Sequence, residues 1–308
     1  MNKHIIRLLR PHQWLKNAFV LTPLFFDRRT TDLHYAAPCL LAFAAFCLAA
    51  SGIYCFNDIR DADADRLHPA KRWRPVASGA VSTRMAYATM IAVWVLAFML
   101  VAVGSLHSDC SRLGLAGTLL FYITMNVAYC MKLKHVPLLD VFIIAIGFVL
   151  RIVAGGLATG IALSHWLVIT TFLLALFLAL AKRRDDVALY ESSGIKARKN
   201  VEKYNLTFLD HAIGMLGSAT IVCYILYTVS PDVVERLGCP HLYVTSLFVV
   251  AGILHYMRIT FVDKKSSSPT RVLLRDHFIQ ACVAGWITAF AIILYYKQGV
   301  TCGLNLTS

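Results

Sequence analysis

Acidic residues are scarce: 17 Asp and Glu stand against 30 Lys and Arg in 308 residues, a formal charge of +13. Charged residues of both signs make up only 15% of the chain, and hydrophobic ones 58%. An ordinary soluble domain is excluded by that balance. A basic excess can signal nucleic acid, but here the basic residues fall in short gaps between apolar runs. That distribution reads as membrane topology, with no nucleic-acid partner. The 9 cysteines form no CxxC and no Cys/His pair at metal spacing. Most lie inside apolar runs, as small hydrophobes, while Cys110, Cys239 and Cys302 fall near outer loops, paired or free. Neither GxGxxG nor GxxxxGK[ST] occurs, and no Ser/His/Asp arrangement can be defended. The basic stretch Met1–Arg10 is not followed by a short apolar core with a small-residue cleavage site, so no cleavable signal peptide is expected.

What fills the chain instead is long apolar segments. Nine are expected to cross a membrane, at 14–26, 35–57, 84–106, 113–131, 137–159, 163–182, 209–230, 241–262 and 277–297. Most approach the ~20 residues that a spanning helix needs. The fold class is therefore all-α, a single integral-membrane domain over 1–308 with a polar cytoplasmic cap. Gaps on the amino-terminal side carry 24 Lys and Arg, and those on the opposite side 5. This bias predicts a multi-pass protein of the inner (cytoplasmic) membrane, with its amino terminus cytoplasmic and its carboxyl terminus outside.

Against the general scarcity of acid, one stretch is crowded with it: Asn57-Asp58-Ile59-Arg60-Asp61-Ala62-Asp63-Ala64-Asp65, directly after the second apolar run. Asp58, Asp61 and Asp65 recur at helical spacing and share one face; Asp63 falls off it. Three converging carboxylates repel one another unless a cation sits among them. Oxygen ligands at a membrane surface suit Mg²⁺, completed by substrate phosphates. Lys71, Arg72 and Arg74 follow closely and match those phosphates, so a site for Mg²⁺ and a diphosphate is expected. The plainer alternative is a solvated helix end with scattered salt bridges. His68 is the one histidine placed to touch a substrate.

Two further constellations and one lone residue carry alternatives. In Tyr129-Cys130-Met131-Lys132-Leu133-Lys134-His135, Tyr129 and Lys134 either cover a phosphate or serve as interfacial anchors. Asp140 fits a first helical turn. In Lys182-Arg183-Arg184-Asp185-Asp186, Lys182 and Arg183 end a spanning helix and either clamp a lipid phosphate or belong to a solvated mixed-charge loop. Arg151, inside an apolar segment, is either a structural ion pair or helix-end snorkeller, or a contact to an anionic substrate. Gly147, Gly155 and Gly156 beside it mark close helix packing.

The motif Asn57-Asp58-x-x-Asp61-x-x-x-Asp65 after a second spanning helix resembles the UbiA superfamily of intramembrane prenyltransferases. Leu9-Arg10-Pro11-His12-Gln13-Trp14-Leu15-Lys16-Asn17, Asp65-Arg66-x-His68-Pro69-x-Lys71-Arg72-x-Arg74-Pro75, Leu133-Lys134-His135-Val136-Pro137 and Gly147-Phe148-Val149-Leu150-Arg151 resemble one branch of it. That branch moves a 5-phosphoribosyl group from phosphoribosyl pyrophosphate (PRPP) to a decaprenyl-type polyprenyl phosphate. The superfamily's second Asp-rich motif, after the sixth helix, is replaced here by Lys182–Asp186 without spaced carboxylates, which disfavours a prenyl diphosphate donor.

The resemblance implies Mg²⁺ held by Asn57, Asp58, Asp61 and Asp65, with Asp58 and Asp61 catalytic. It also implies donor phosphates on Lys16, Lys71, Arg72, Arg74, Tyr129 and Lys134, and the acceptor phosphate on Arg151, Lys182 and Arg183. The partners are then PRPP, a polyprenyl phosphate and the membrane; self-association is left open. The competing enzyme is a prenyltransferase acting on an aromatic or quinone precursor. A cation transporter is the competitor from another class, but it calls for ionisable residues in the middle of several segments and for an internal repeat.

Overall fold

The computed structural model describes residues 3–27, 32–67, 71–104, 111–194, 201–264, 266 and 268–304, with side chains up to Leu294. His68, Cys110, the 196–200 stretch and the side chain of Cys302 lie outside that set. All regular structure among the described residues is helical. Contacts divide the chain into two units, Met1–Leu163 and Ser164–Ser308.

The first unit contains α1 (Lys3–Leu9), a 3-10 helix (Pro11–Leu21), α2 (Thr22–Phe26), α3 (Leu33–Arg60), α4 (Ala62–Leu67), α5 (Thr83–Gly104), α6 (Arg112–Met131) and α7 (Leu139–Thr159). Short polar side chains start the long helices. Asp32 Oδ1 accepts from His34 N at 2.9 Å ahead of α3, and Ser111 Oγ accepts from Gly114 N at 3.2 Å ahead of α6, each occupying an orphan donor of the first turn. α3 is the central strut. Its Ala36, Ala42, Ala45, Ala49 and Ala50 are buried, and small residues let neighbouring helices approach closely. At Gly52 a Cβ would fall on the Trp94 ring, whose Nε1 donates to Ala49 O at 3.2 Å. The outward residues of α5 (Ile91, Val95, Met99 and Val103) are large, apolar and exposed, as a lipid-facing surface requires.

The first expected segment, 14–26, is not one α-helix. It is built as 11 residues of 3-10 helix followed by 5 of α-helix. A 3-10 helix rises about 2.0 Å per residue against about 1.5 Å for an α-helix, so 16 residues reach roughly 30 Å, the thickness of a bilayer core. Its contacts descend α3 in order. Arg10 meets Asp58, Trp14 Nε1 donates to Ser51 Oγ at 2.9 Å, Asn17 Nδ2 to Cys47 Sγ at 3.3 Å, and Cys39 Sγ to Val20 O at 3.4 Å. The segment therefore runs antiparallel to α3 and traverses the unit. Gly155 on α7 makes room for it: a Cβ there would fall on the Val20 carbonyl oxygen.

The second unit contains α8 (His165–Ser193), α9 (Leu206–Val229), α10 (Pro231–Leu237), α11 (Ser246–Arg258), a π-turn (Ile259–Asp263), α12 (Pro269–Arg275) and α13 (His277–Leu304). In its interior Tyr224 Oη bonds Thr245 Oγ1 at 2.7 Å and accepts from Trp286 Nε1 at 2.6 Å. Cys239 is buried, and its thiol donates to Ile293 O at 3.3 Å.

Among the described residues eight helices are long and apolar enough to cross a membrane, and they match eight of the nine expected segments. One boundary differs in a telling way. α8 does not end at 182 but runs to Ser193 and stops at Gly194 (φ 69°). Its charged run is helical, with Arg183, Arg184 and Asp185 buried, not a solvated loop. Arg184 is held by Asp210 at 2.6 Å, by Thr260 O at 3.0 Å and by the Phe261 ring at 5.0 Å.

Candidate active site at the end of α3

α3 carries Asn57 and Asp58 on its last full turn and breaks at Asp61, whose φ and ψ are −92° and 0°. The break is shallow. Asp61 N still donates to Asn57 O at 2.9 Å and Asp65 N to Asp61 O at 2.8 Å. Helical spacing thus survives from α3 into α4, and Asp58 and Asp65 stay on the same side. Asp63 points away, as its register requires, and pairs in solvent with Arg66 at 2.7 Å.

Each of the three carboxylates meets a cation. Asp58, 1% exposed, receives Arg10 Nη2 on Oδ1 at 2.5 Å. Arg74 Nη1 lies between Asp65 Oδ2 (2.7 Å) and Asp58 Oδ1 (3.5 Å). Lys134 Nζ reaches Asp61 Oδ1 at 2.7 Å from the 3-10 turn Leu133–His135 that joins α6 to α7. The chain from Lys71 to Val81 holds Arg74 in place: Arg74 N bonds Lys71 O, Ser78 N bonds Arg74 O and Val81 N bonds Pro75 O, all at 2.9 Å. Beneath this turn Leu8, Cys55, Ala62, Val76, Val81, Ala86 and Met90 form an apolar floor. The charged groups thus stand on a packed base that keeps them from collapsing further.

Asp58 Oδ2 is buried with no hydrogen-bond partner. An orphaned buried carboxylate oxygen is costly, and it offers a coordination position for a hard cation. Among the described residues no group of three His, Cys, Asp or Glu side chains converges as a ready metal site. Arg10, Arg74 and Lys134 hold the carboxylates in ion pairs instead.

The profile of the UbiA prenyltransferase family matches residues 29–282. The chain belongs to the UbiA prenyltransferase family. Two curated relatives are named decaprenyl-phosphate phosphoribosyltransferase. The one from Mycolicibacterium smegmatis is 34% identical over 95% of this chain and 93% of its own length. The one from Corynebacterium glutamicum is 33% identical over 94% and 86%. A solved UbiA homologue from Archaeoglobus fulgidus, bound to GPP and Mg²⁺, superposes with a TM-score of 0.69 at 21% identity. The match covers 94% of this chain and 99% of that one. This UbiA-family chain is thus a membrane-embedded transferase with the family's helical fold.

Of the residues singled out in the sequence, Asp58, Asp61, Asp65, Arg74 and Lys134 come together at this site. Arg72 is exposed and stacks on Trp73, its guanidinium 4.9 Å from the ring centre. Asn57, Lys16, Lys71 and Tyr129 are half-buried. Arg151 is neither an ion pair nor a snorkeller. It is buried on α7, with Nε donating to Asn17 Oδ1, Nη1 to Gly147 O and Nη2 to Tyr122 Oη, each at 2.7 Å. The Tyr122 and Phe148 rings flank it at 4.8 and 5.3 Å. Lys182 and Arg183 belong to the second unit, where Arg183 Nη1 faces Asp186 at 3.4 Å.

Sequence reasoning missed Arg10 as a site residue. It stood in the motif before Pro11 without a role, 48 positions from the carboxylate it contacts. The available signal was a lone cation at the membrane entry beside Trp14.

Proposed function

We propose that this UbiA-family protein transfers a 5-phosphoribosyl group from PRPP to a decaprenyl-type polyprenyl phosphate, with release of pyrophosphate. The observation that carries the reading is the interleaving of three carboxylates with Arg10, Arg74 and Lys134, beside Lys71 and Arg72. Names of curated relatives at 33–34% identity over nearly the whole chain support it. Asn57, Asp58, Asp61 and Asp65 would hold Mg²⁺, and the unpartnered Asp58 Oδ2 fits that role. When bound, the ion supplies charge neutralisation to the leaving pyrophosphate.

The chain's own groups do the rest. Arg74, Lys134, Lys71 and Arg72, with Lys16 and Tyr129, bind and orient the donor's phosphates. A phosphate oxygen of the lipid bonds to the anomeric carbon as the bond from that carbon to pyrophosphate breaks. The attacking oxygen is already anionic, so no general base is needed. Arg151, Lys182 and Arg183 are proposed for the acceptor phosphate, the last two on sequence position alone. The 24-to-5 distribution of basic residues supports an inner-membrane protein with the site on the cytoplasmic face, where PRPP is available.

The second reading is transfer of a prenyl chain from its diphosphate to an aromatic acceptor, favoured by the GPP in the Archaeoglobus fulgidus homologue. One experiment separates them. Purified protein with Mg²⁺ and a polyprenyl phosphate is given radiolabelled PRPP, and label is counted in the organic phase. Mg²⁺-dependent label in lipid is expected. Absence of label, with turnover of a prenyl diphosphate and an aromatic acid, would sink the phosphoribosyl reading.

A further inference from the structure

We infer that Arg10 is a second-state donor ligand: it neutralises Asp58 in the protein alone and passes to the donor's diphosphate when a divalent cation takes Asp58. This rests on the metal reading above. Asp58 Oδ1 is shared by Arg10 at 2.5 Å and Arg74 at 3.5 Å, so a metal ion bound at that carboxylate competes with both guanidiniums. Asp58, Asp61 and Asp65 are balanced by Arg10, Arg74 and Lys134. A divalent cation alone leaves this partly buried set two charges positive. A diphosphate alone leaves it strongly negative. Together they nearly cancel, and uncompensated charge in such a setting is expensive.

Arg10 is the partner built to move. Arg74 is tied to a second carboxylate, Asp65, and to a rigid turn. Arg10 has Asp58 as its carboxylate partner and lies over the Tyr54 ring, 5.0 Å from its centre, a ring face that attracts a cation without fixing it to a second carboxylate. The flanking backbone stays fixed because Ser51 Oγ donates to Leu9 O at 2.8 Å and accepts from Trp14 Nε1. The forked guanidinium then suits paired diphosphate oxygens.

The test compares wild type, Arg10→Gln and Arg10→Lys in two measurements: Mn²⁺ binding by electron paramagnetic resonance without anion, and radiolabelled pyrophosphate binding at saturating Mn²⁺. In Arg10→Gln, Mn²⁺ alone should bind at least roughly fivefold tighter, because its competitor at Asp58 is gone. Pyrophosphate should bind at least roughly fivefold weaker, because a ligand is lost. Arg10→Lys should keep Mn²⁺ binding near wild type and still weaken pyrophosphate. A merely structural role moves both affinities downward together in both variants. That result, or no change in either, overturns the proposal. Asp58→Asn in the wild-type background is the control: if it leaves Mn²⁺ binding intact, the metal reading itself fails, independently of Arg10.

Discussion

Asp58 and Asp61 sit three residues apart yet face different physical conditions, and that difference decides which variant is informative. Asp58 is almost fully buried and answers two arginines; removing its charge strands them, a change that costs about 3–5 kcal/mol when a buried pair is broken. The Asp61 side chain is 30% exposed and pairs with one lysine, so its loss is screened by solvent. Asp61→Asn is therefore the cleaner test. We expect phosphoribosyl transfer to fall by at least roughly 100-fold with little shift in thermal unfolding; near-wild-type turnover would remove Asp61 from the site. Arg151 poses the opposite case. Three of its five N–H groups serve Asn17, Gly147 and Tyr122. Arg151→Lys cannot reproduce that fork, and losing buried hydrogen bonds costs about 1–3 kcal/mol. A lowered Tm in detergent is expected. If the acceptor's KM also rises, the residual donors reach the lipid phosphate; if KM is unchanged, Arg151 only ties the 3-10 helix to α6 and α7.

Between elements, the packing of the 3-10 helix against α7 depends on one missing side chain. Gly155→Ala places a methyl on the Val20 carbonyl oxygen. Overpacking of this kind typically costs about 1–3 kcal/mol, and Arg10 and Lys16 ride on the same segment. We expect a lower Tm and weaker pyrophosphate binding together, whereas Gly117→Ala, where a Cβ meets open space, should change neither. Equal behaviour of the two variants would show that the close approach carries no energy.

The same elements show what was legible in the sequence. Lipid forces backbone polar groups to bond within each helix, so apolar run length alone located eight spans. The acidic face was legible because Asp61 N–Asn57 O and Asp65 N–Asp61 O keep helical spacing through the break. The course of α8 was not. Its charges look solvated, and the partners that bury Arg184 come from 26 and 76 residues away. Arg10 was illegible for the same reason: long-range pairing leaves no mark in local pattern.

For the whole molecule, the number of crossings fixes the side on which the chain ends. Eight long helices alone would return the carboxyl terminus to the side where α3 begins its crossing. The contacts of the first segment add a ninth traverse, since Arg10 lies at the Asp58 end of α3 and Val20 lies against Cys39, near the other end. An odd number of crossings would put the two termini on opposite sides, and the orientation we propose from the basic gaps has the amino terminus in the cytoplasm. Alkaline phosphatase, active only outside the inner membrane, should therefore be active when fused to the carboxyl terminus and inactive when fused after Gly194. Activity of both fusions, or of neither, would mean that an odd number of the spans after Gly194 fails to cross. Reversed activity would invert the protein and carry the Asp58 site to the outer face, away from cytosolic PRPP, so this measurement tests the proposed donor as well as the topology.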